Sequence, residues 1–394
     1  MKKRGGSVKR GILGGPLFMG PQTRIRMGNS TLSCSLPRLA VFVLTSILLL
    51  YLLNTTLFSR KSDPRPQSYN STYPLSQPQS LEGGITSYAI GILTDLDTDS
   101  KNGSNSWRSF FKRGTLLQEP GGHYKISFEE TKGDGLEIRS KLSYGGRGME
   151  LSELVVFNGS LYSCDDRTGV VYRLLLETKG IVSVPWVILS DGNGLESKGF
   201  KCEWMTVKDE HLYVGGLGKE WTTPDGVVLN HNPMFVKRIS PSGAVEHLDW
   251  FDVYIGVRRA AGIEAPGYMI HEAIEWNPLA QKWFFLPRRA SVDKYDDVTD
   301  EEKGTNFLLR LRPGHLEDVE VLRVGGSETI QNPSHGFSSF KFIPGTNHQH
   351  IVALKSQELK GSIASFIMVL DSEGNILLPE TKIGDFKYEG VEFI

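Results

Sequence analysis

The sequence predicts an all-β protein, a five-bladed β-propeller behind one N-terminal transmembrane signal-anchor helix. Three features predict it: a twenty-residue uncharged run beginning at Leu39, short β-rich segments over the rest of the chain, and a strand motif that recurs five times.

The 394 residues carry 44 Lys plus Arg against 45 Asp plus Glu, but the balance is uneven. No acid occurs among the first 62 residues, where Lys2, Lys3, Arg4, Lys9, Arg10, Arg24, Arg26 and Arg38 precede the apolar run Leu39–Phe58. Twenty such residues match the hydrocarbon thickness of a bilayer. A cleaved signal peptide has a shorter apolar core, lies nearer the start and ends in small residues. Residues 39–58 therefore read as an uncleaved anchor, and the positive-inside rule leaves 1–38 as a cytoplasmic basic tail. Residues 59–84, rich in Pro, Ser and Gln, bury too little apolar surface to fold alone and read as a lumenal stalk. Glycan acceptors of the form Asn-x-Ser/Thr stand at Asn54, Asn70, Asn102 and Asn158, with Asn70 best placed, while Asn29 falls on the cytosolic side. Cys34, Cys164 and Cys202 are too few for a disulfide framework and leave Cys164 and Cys202 one optional bridge.

From residue 85 to 394, segments such as "YAIGILTDLD", "GVVYRLLLE", "KWFFLPRRA" and "HIVALKS" alternate with Gly, Pro, Asn and Asp turns, and no stretch keeps a 3.6-residue apolar period over helical length. The repeat favours a propeller. A Ser or Glu opens a short alternating strand in "SELVVF" from Ser152, "EWMTV" from Glu203, "EAIEW" from Glu272, "SSFKF" from Ser338 and "EGVEFI" from Glu389. Spacings of 51, 69, 66 and 51 residues fit propeller blades, the two longer ones with extra loop residues. The fifth opening strand ends the chain, so "YAIGILTDL" must complete its blade and close the ring, which removes a free sheet edge. A β-sandwich with coincidental spacing is the competing architecture.

Innermost strands line a propeller's channel, so Ser152, Glu203, Glu272, Ser338 and Glu389 would meet at one mouth. Three carboxylates at one point repel unless a cation neutralises them. Oxygen-only ligands in a wide ring favour Ca²⁺ over Mg²⁺, which demands a tight octahedron.

The strings "GRGMELSELVVFNG", "DDRTGVVY", "PWVILSDG", "LYVGGLGKEWTT", "HGFSSFKFIP" and "LLPETKIG" resemble the calcium-activated nucleotidases, vertebrate membrane-anchored relatives of insect apyrases, over about residues 85–394. The resemblance implies a five-bladed propeller with central calcium that hydrolyses nucleoside di- and triphosphates, UDP and GDP preferred. Carried over motif by motif, Asp95, Asp97 and Asp166 are the candidates for ordering calcium-bound water and serving as base, with Arg167 on the phosphates. Arg147, Glu150, Asp165, Lys201 and Arg288 are further substrate-binding candidates. Compartment and resemblance together imply a lumenal enzyme of the endoplasmic reticulum or Golgi that removes the UDP left by sugar transfer, with the plasma membrane or a shed soluble form as alternatives. The expected partners are the nucleotide and the membrane, with no nucleic acid, and self-association as a homodimer stays open.

Other chemistries lose support. An EF-hand reading of "DLDTDS" fails because Ser100 and Ser106 stand where Gly and a bidentate Glu are required. "HEAIE" lacks the second zinc-binding His, and neither a P-loop nor a nucleophile elbow occurs. A non-catalytic calcium-stabilised binding propeller and a calcium propeller of lactonase or esterase type remain as alternatives.

Overall fold

The computed structural model describes residues 22–27, 30–58, 68–130, 134–177 and 180–394, and the chain divides into two compact units, Met1–Ser68 and Tyr69–Ile394. In the first, a hairpin pairs Gln22–Met27 with Ser30–Ser35, and a helix runs Leu36–Phe58 over the apolar run. Its described side chains, residues 40–51, are exposed apart from half-buried Ser46. Among the described residues no helix is long and apolar enough to cross a membrane. The predicted anchor reaches beyond the side chains described, and most of the predicted tail and residues 59–67 of the stalk lie outside the described residues.

The second unit is a five-bladed propeller. Four blades are antiparallel four-stranded sheets whose inner strands are Leu151–Phe157, Trp204–Lys208, Ile274–Asn277 and His335–Phe342. In the fifth, the C-terminal strand Lys387–Phe393 is innermost and pairs antiparallel with Ile85–Asp95, from Lys387 opposite Asp95 to Phe393 opposite Ile90. The chain ends thus close the ring as the repeat predicts. Gly390 is required here by close approach: a Cβ would lie 2.6 Å from the backbone nitrogen of Leu154 on the neighbouring inner strand.

The long spacings contain what the sequence left as loop. Hairpin Trp221–Thr222 with Val228–Asn230 and helix Phe251–Ala260 follow the second blade's opening, and Tyr268–Ile270 pairs with Arg289–Ser291 in the third. The helix corrects the expectation of no helical segment. At ten residues it is too short for a sustained period, yet Tyr254, Val257 and Arg258 form its buried face, with Asp252 and Arg259 at the ends that suit its dipole. Trp204, Trp250, Trp276 and Trp283 fill the core between the second and third blades.

Residues 69–81, expected in the stalk, pack on the propeller. The Tyr69 ring lies 5.7 Å from Phe157, Pro74 is buried, and Gln79–Leu81 pairs with Ile85–Ser87. The aromatic and proline side chains in this polar stretch supply enough apolar surface to dock. Cys164 and Cys202 are joined by a disulfide, with a Cα separation of 6.4 Å, beneath the first and second blades' contact.

Candidate active site

The five ring residues sit where the inner strands begin or bulge. Glu203 immediately precedes its strand, and Glu272 stands two residues before the start of its own. Register shifts between Ser152 and Leu154, Phe337 and Ser339, and Tyr388 and Gly390 mark bulges in the other three. A bulge re-aims a side chain that strict alternation would turn into a sheet face. Carboxylate oxygens of Glu203, Glu272 and Glu389, all buried, lie within 4.8 Å of one another. Ser152 Oγ donates to Glu389 Oε2 at 3.3 Å and so reaches the ring, while Ser338 Oγ donates to the Tyr388 carbonyl at 3.0 Å, next to Glu389 in the chain.

Above this ring opens a cavity of about 600 Å³. Asp95, Asp97, Asp166, Lys201 and Arg288 line it, as expected. Lys201 bridges Asp166 and Glu203, the latter at 2.6 Å. Arg288 pairs with Glu272 at 2.5 Å, Glu358 at 2.7 Å and Glu389 at 3.5 Å. Asp166 Oδ2 is held by Lys201, while its buried Oδ1 has no hydrogen-bond partner.

Four expected residues stand elsewhere. Asp165 is fully buried, its carboxylate accepting the N–H groups of Met149 at 2.9 Å and Arg167 at 3.0 Å, so it shapes the turn rather than facing the cavity. Glu150 is equally buried behind the wall, gripped by Arg147 at 2.5 Å and Arg167 at 2.8 Å. Arg147 also reaches Asp97 at 3.4 Å and Arg167 lies 3.7 Å from Asp166. These arginines thus orient the aspartates from behind, where sequence reasoning put Arg167 directly on phosphate.

Lys387 was missed. It contacts Asp95 at 2.7 Å, Asp97 at 2.6 Å, Glu358 at 3.4 Å and Glu389 at 3.7 Å. A signal existed: Lys201-Cys202-Glu203 and Lys387-Tyr388-Glu389 repeat one Lys-x-Glu pattern in two blades. Glu358, Trp221 and Tyr295, also on the wall, come from a second strand and from the long loops and carry no comparable pattern.

Eight carboxylates (Asp95, Asp97, Glu150, Asp166, Glu203, Glu272, Glu358, Glu389) face five cations (Arg147, Arg167, Lys201, Arg288, Lys387), a formal charge of −3. Burial pushes Glu203 up to about 8 against the pull of Lys201, and Glu389 well above the carboxylate range against that of Lys387. Burial also carries Asp95 to about 7, whereas Lys387 holds Asp97 low in spite of its burial. Carboxyls driven toward protonation by burial and mutual repulsion are what a divalent cation reverses. The ring's oxygen-only donors suit a hard ion of the calcium kind.

A propeller whose channel mouth joins a carboxylate ring to a cation-lined cavity has the equipment of a hydrolase for phosphorylated substrates. Residues 96–394 match the apyrase family, and the chain belongs to it: it is a nucleotide-hydrolysing enzyme. It is 53% identical over 336 residues to soluble calcium-activated nucleotidase 1 of Rattus norvegicus, covering 85% of this chain and 80% of that one. It is 50% identical to apyrase apy-1 of Caenorhabditis elegans over 79% of this chain and 86% of that one, and 45% identical to an apyrase of Cimex lectularius over 82% and 87%.

Proposed function

We propose that the cavity hydrolyses nucleoside diphosphates, UDP and GDP foremost, to the monophosphate and phosphate, with calcium held by Ser152, Glu203, Glu272, Ser338 and Glu389. The convergence of three glutamates beside Asp166 carries this reading. The bound ion would supply charge neutralisation and orientation of phosphate oxygens. Lys201, Lys387 and Arg288 offer their charge to the phosphates. Asp166, whose Oδ1 makes no hydrogen bond, accepts the proton of the attacking water as the water oxygen bonds to the terminal phosphorus and the bridging P–O bond breaks. Asp95 is committed to the Asp97 N–H and to Lys387 and serves as their positioning group. The expected result is phosphate release from UDP with calcium and none with chelator. A chain that binds the nucleotide without releasing phosphate in either condition would be a binding module, and hydrolysis of lactones or esters in place of UDP would make it the other kind of calcium propeller.

The enzyme's proposed place is the lumen of the endoplasmic reticulum or Golgi, anchored through residues 39–58, with a shed soluble form consistent with the relatives' name. The Cys164–Cys202 bridge supports an oxidising compartment. Removal of N-glycans is expected to increase gel mobility through Asn70, and Asn29→Gln to change nothing. A glycan mapped to Asn29 would reverse the orientation.

A further inference from the structure

Three residues beyond four of the five ring residues, the inner strands build a second polar centre. Thr206, Glu275, Lys341 and Glu392 stand at that register after Glu203, Glu272, Ser338 and Glu389, and Glu153 enters from the first blade, its backbone at a positive φ of 59° in the bulge. All five side chains are buried.

Lys341 is the hub. Its ammonium touches Glu275, lies 3.3 Å from Glu153 Oε1 and donates to the Met205 carbonyl at 3.3 Å. Around it, Ser339 Oγ donates to Glu153 Oε1 at 2.7 Å and accepts the Val391 N–H at 3.2 Å. Thr206 Oγ1 donates to Glu275 and accepts the Trp276 N–H at 3.2 Å. Glu392 Oε2 accepts the Val156 N–H at 2.9 Å, and its Oε1 accepts the Tyr73 hydroxyl at 3.1 Å. The network therefore reaches the inner strand of every blade, and the N-terminal segment caps it. Burial works against the lysine's charge, but Glu153 and Glu275 more than offset it and its pKa is raised.

We propose that Lys341 is the built-in cation of this second ring, tying the five blades together without calcium and leaving the upper ring free to take up and release its ion. The second half rests on the upper ring being the calcium site. Strand pairing at the closing seam and the apolar cores between blades hold the ring shut, but the buried carboxylates that meet in the channel still need a cation there. A tethered ammonium meets that need at the second ring whether or not the upper ion is bound, so the cavity stays formed and calcium acts as a reversible activator.

The test uses the full chain, melted in chelator and across a calcium titration. Wild type is expected to melt cooperatively in chelator. Lys341→Met leaves buried carboxylates without their cation and should lower that midpoint by about 10 °C, while the further rise given by calcium stays as in wild type. Lys341→Met with Glu275→Gln removes one charge of each sign and should regain at least half of the loss, including any loss of soluble folded protein. A single variant that melts with wild type, a double variant no better than the single, or a wild type without a cooperative transition in chelator overturns the proposal. If calcium raises the midpoint of no variant, wild type included, the calcium reading of the upper ring fails while the Lys341 comparison still decides the lower one.

Discussion

Glu203→Gln is expected to raise the calcium needed for half-maximal UDP hydrolysis by tens of fold. Glu203 is one of only three ring carboxylates, and its oxygens lie within 4.8 Å of those of Glu272 and Glu389. Glutamine keeps the shape and one oxygen donor but removes a charge, and even groups behind the ligands commonly cost roughly 10- to 100-fold in metal affinity. The same substitution should reduce the thermal stabilisation that limiting calcium gives, because an ion that binds only the folded chain stabilises it by mass action. Turnover at saturating calcium should recover largely, since Lys201 retains Asp166 as a partner. Calcium titrations read by phosphate release and by thermal melts check both parts. An unchanged calcium requirement would remove Glu203 from the metal site.

Asp166→Asn should act on turnover instead. Its Oδ1 is buried without a hydrogen-bond partner, 3.7 Å from the Arg167 guanidinium, and Oδ2 is held by Lys201, so Oδ1 is the oxygen with no hydrogen bond to give up to an incoming water. The amide cannot take up the water's proton, and loss of a general base commonly costs roughly 10² to 10⁴ in rate. Calcium-dependent stabilisation should stay close to wild type, because Asp166 lies outside the ring trio. Normal hydrolysis by Asp166→Asn would return the base to another group, Asp95 first. Loss of calcium stabilisation as severe as in Glu203→Gln would erase the division between ring and catalytic carboxylates.

Much of the site was legible because a propeller repeats its geometry. One strand position in five blades names Ser152, Glu203, Glu272, Ser338 and Glu389, and closure by the last strand follows from a motif that runs out at the C-terminus. The cationic side was less legible. Lys201 and Arg288 could be named beside recognised strings, but Lys387 needed the Lys-x-Glu pattern to be compared between blades. Asp165, Asp166 and Arg167 are neighbours in sequence with three different fates: a carboxylate spent on two backbone N–H groups, one on the cavity wall, and a guanidinium turned toward Glu150.

The sequence by itself determined the blade count, the closing partner of the C-terminal strand and the carboxylates that converge on the axis, because period-two alternation and blade spacing are local properties repeated along the chain. Only the tertiary structure decided which charges meet. Lys387 joins Asp95 across the closing seam, Glu358 joins Arg288 from a different blade, and Lys341 gathers carboxylates from the inner strands of the first and third blades. Those partners lie up to nearly 300 residues apart in the chain, and burial in the channel, which sets both their proximity and the strength of their interaction, exists only after all five blades have closed.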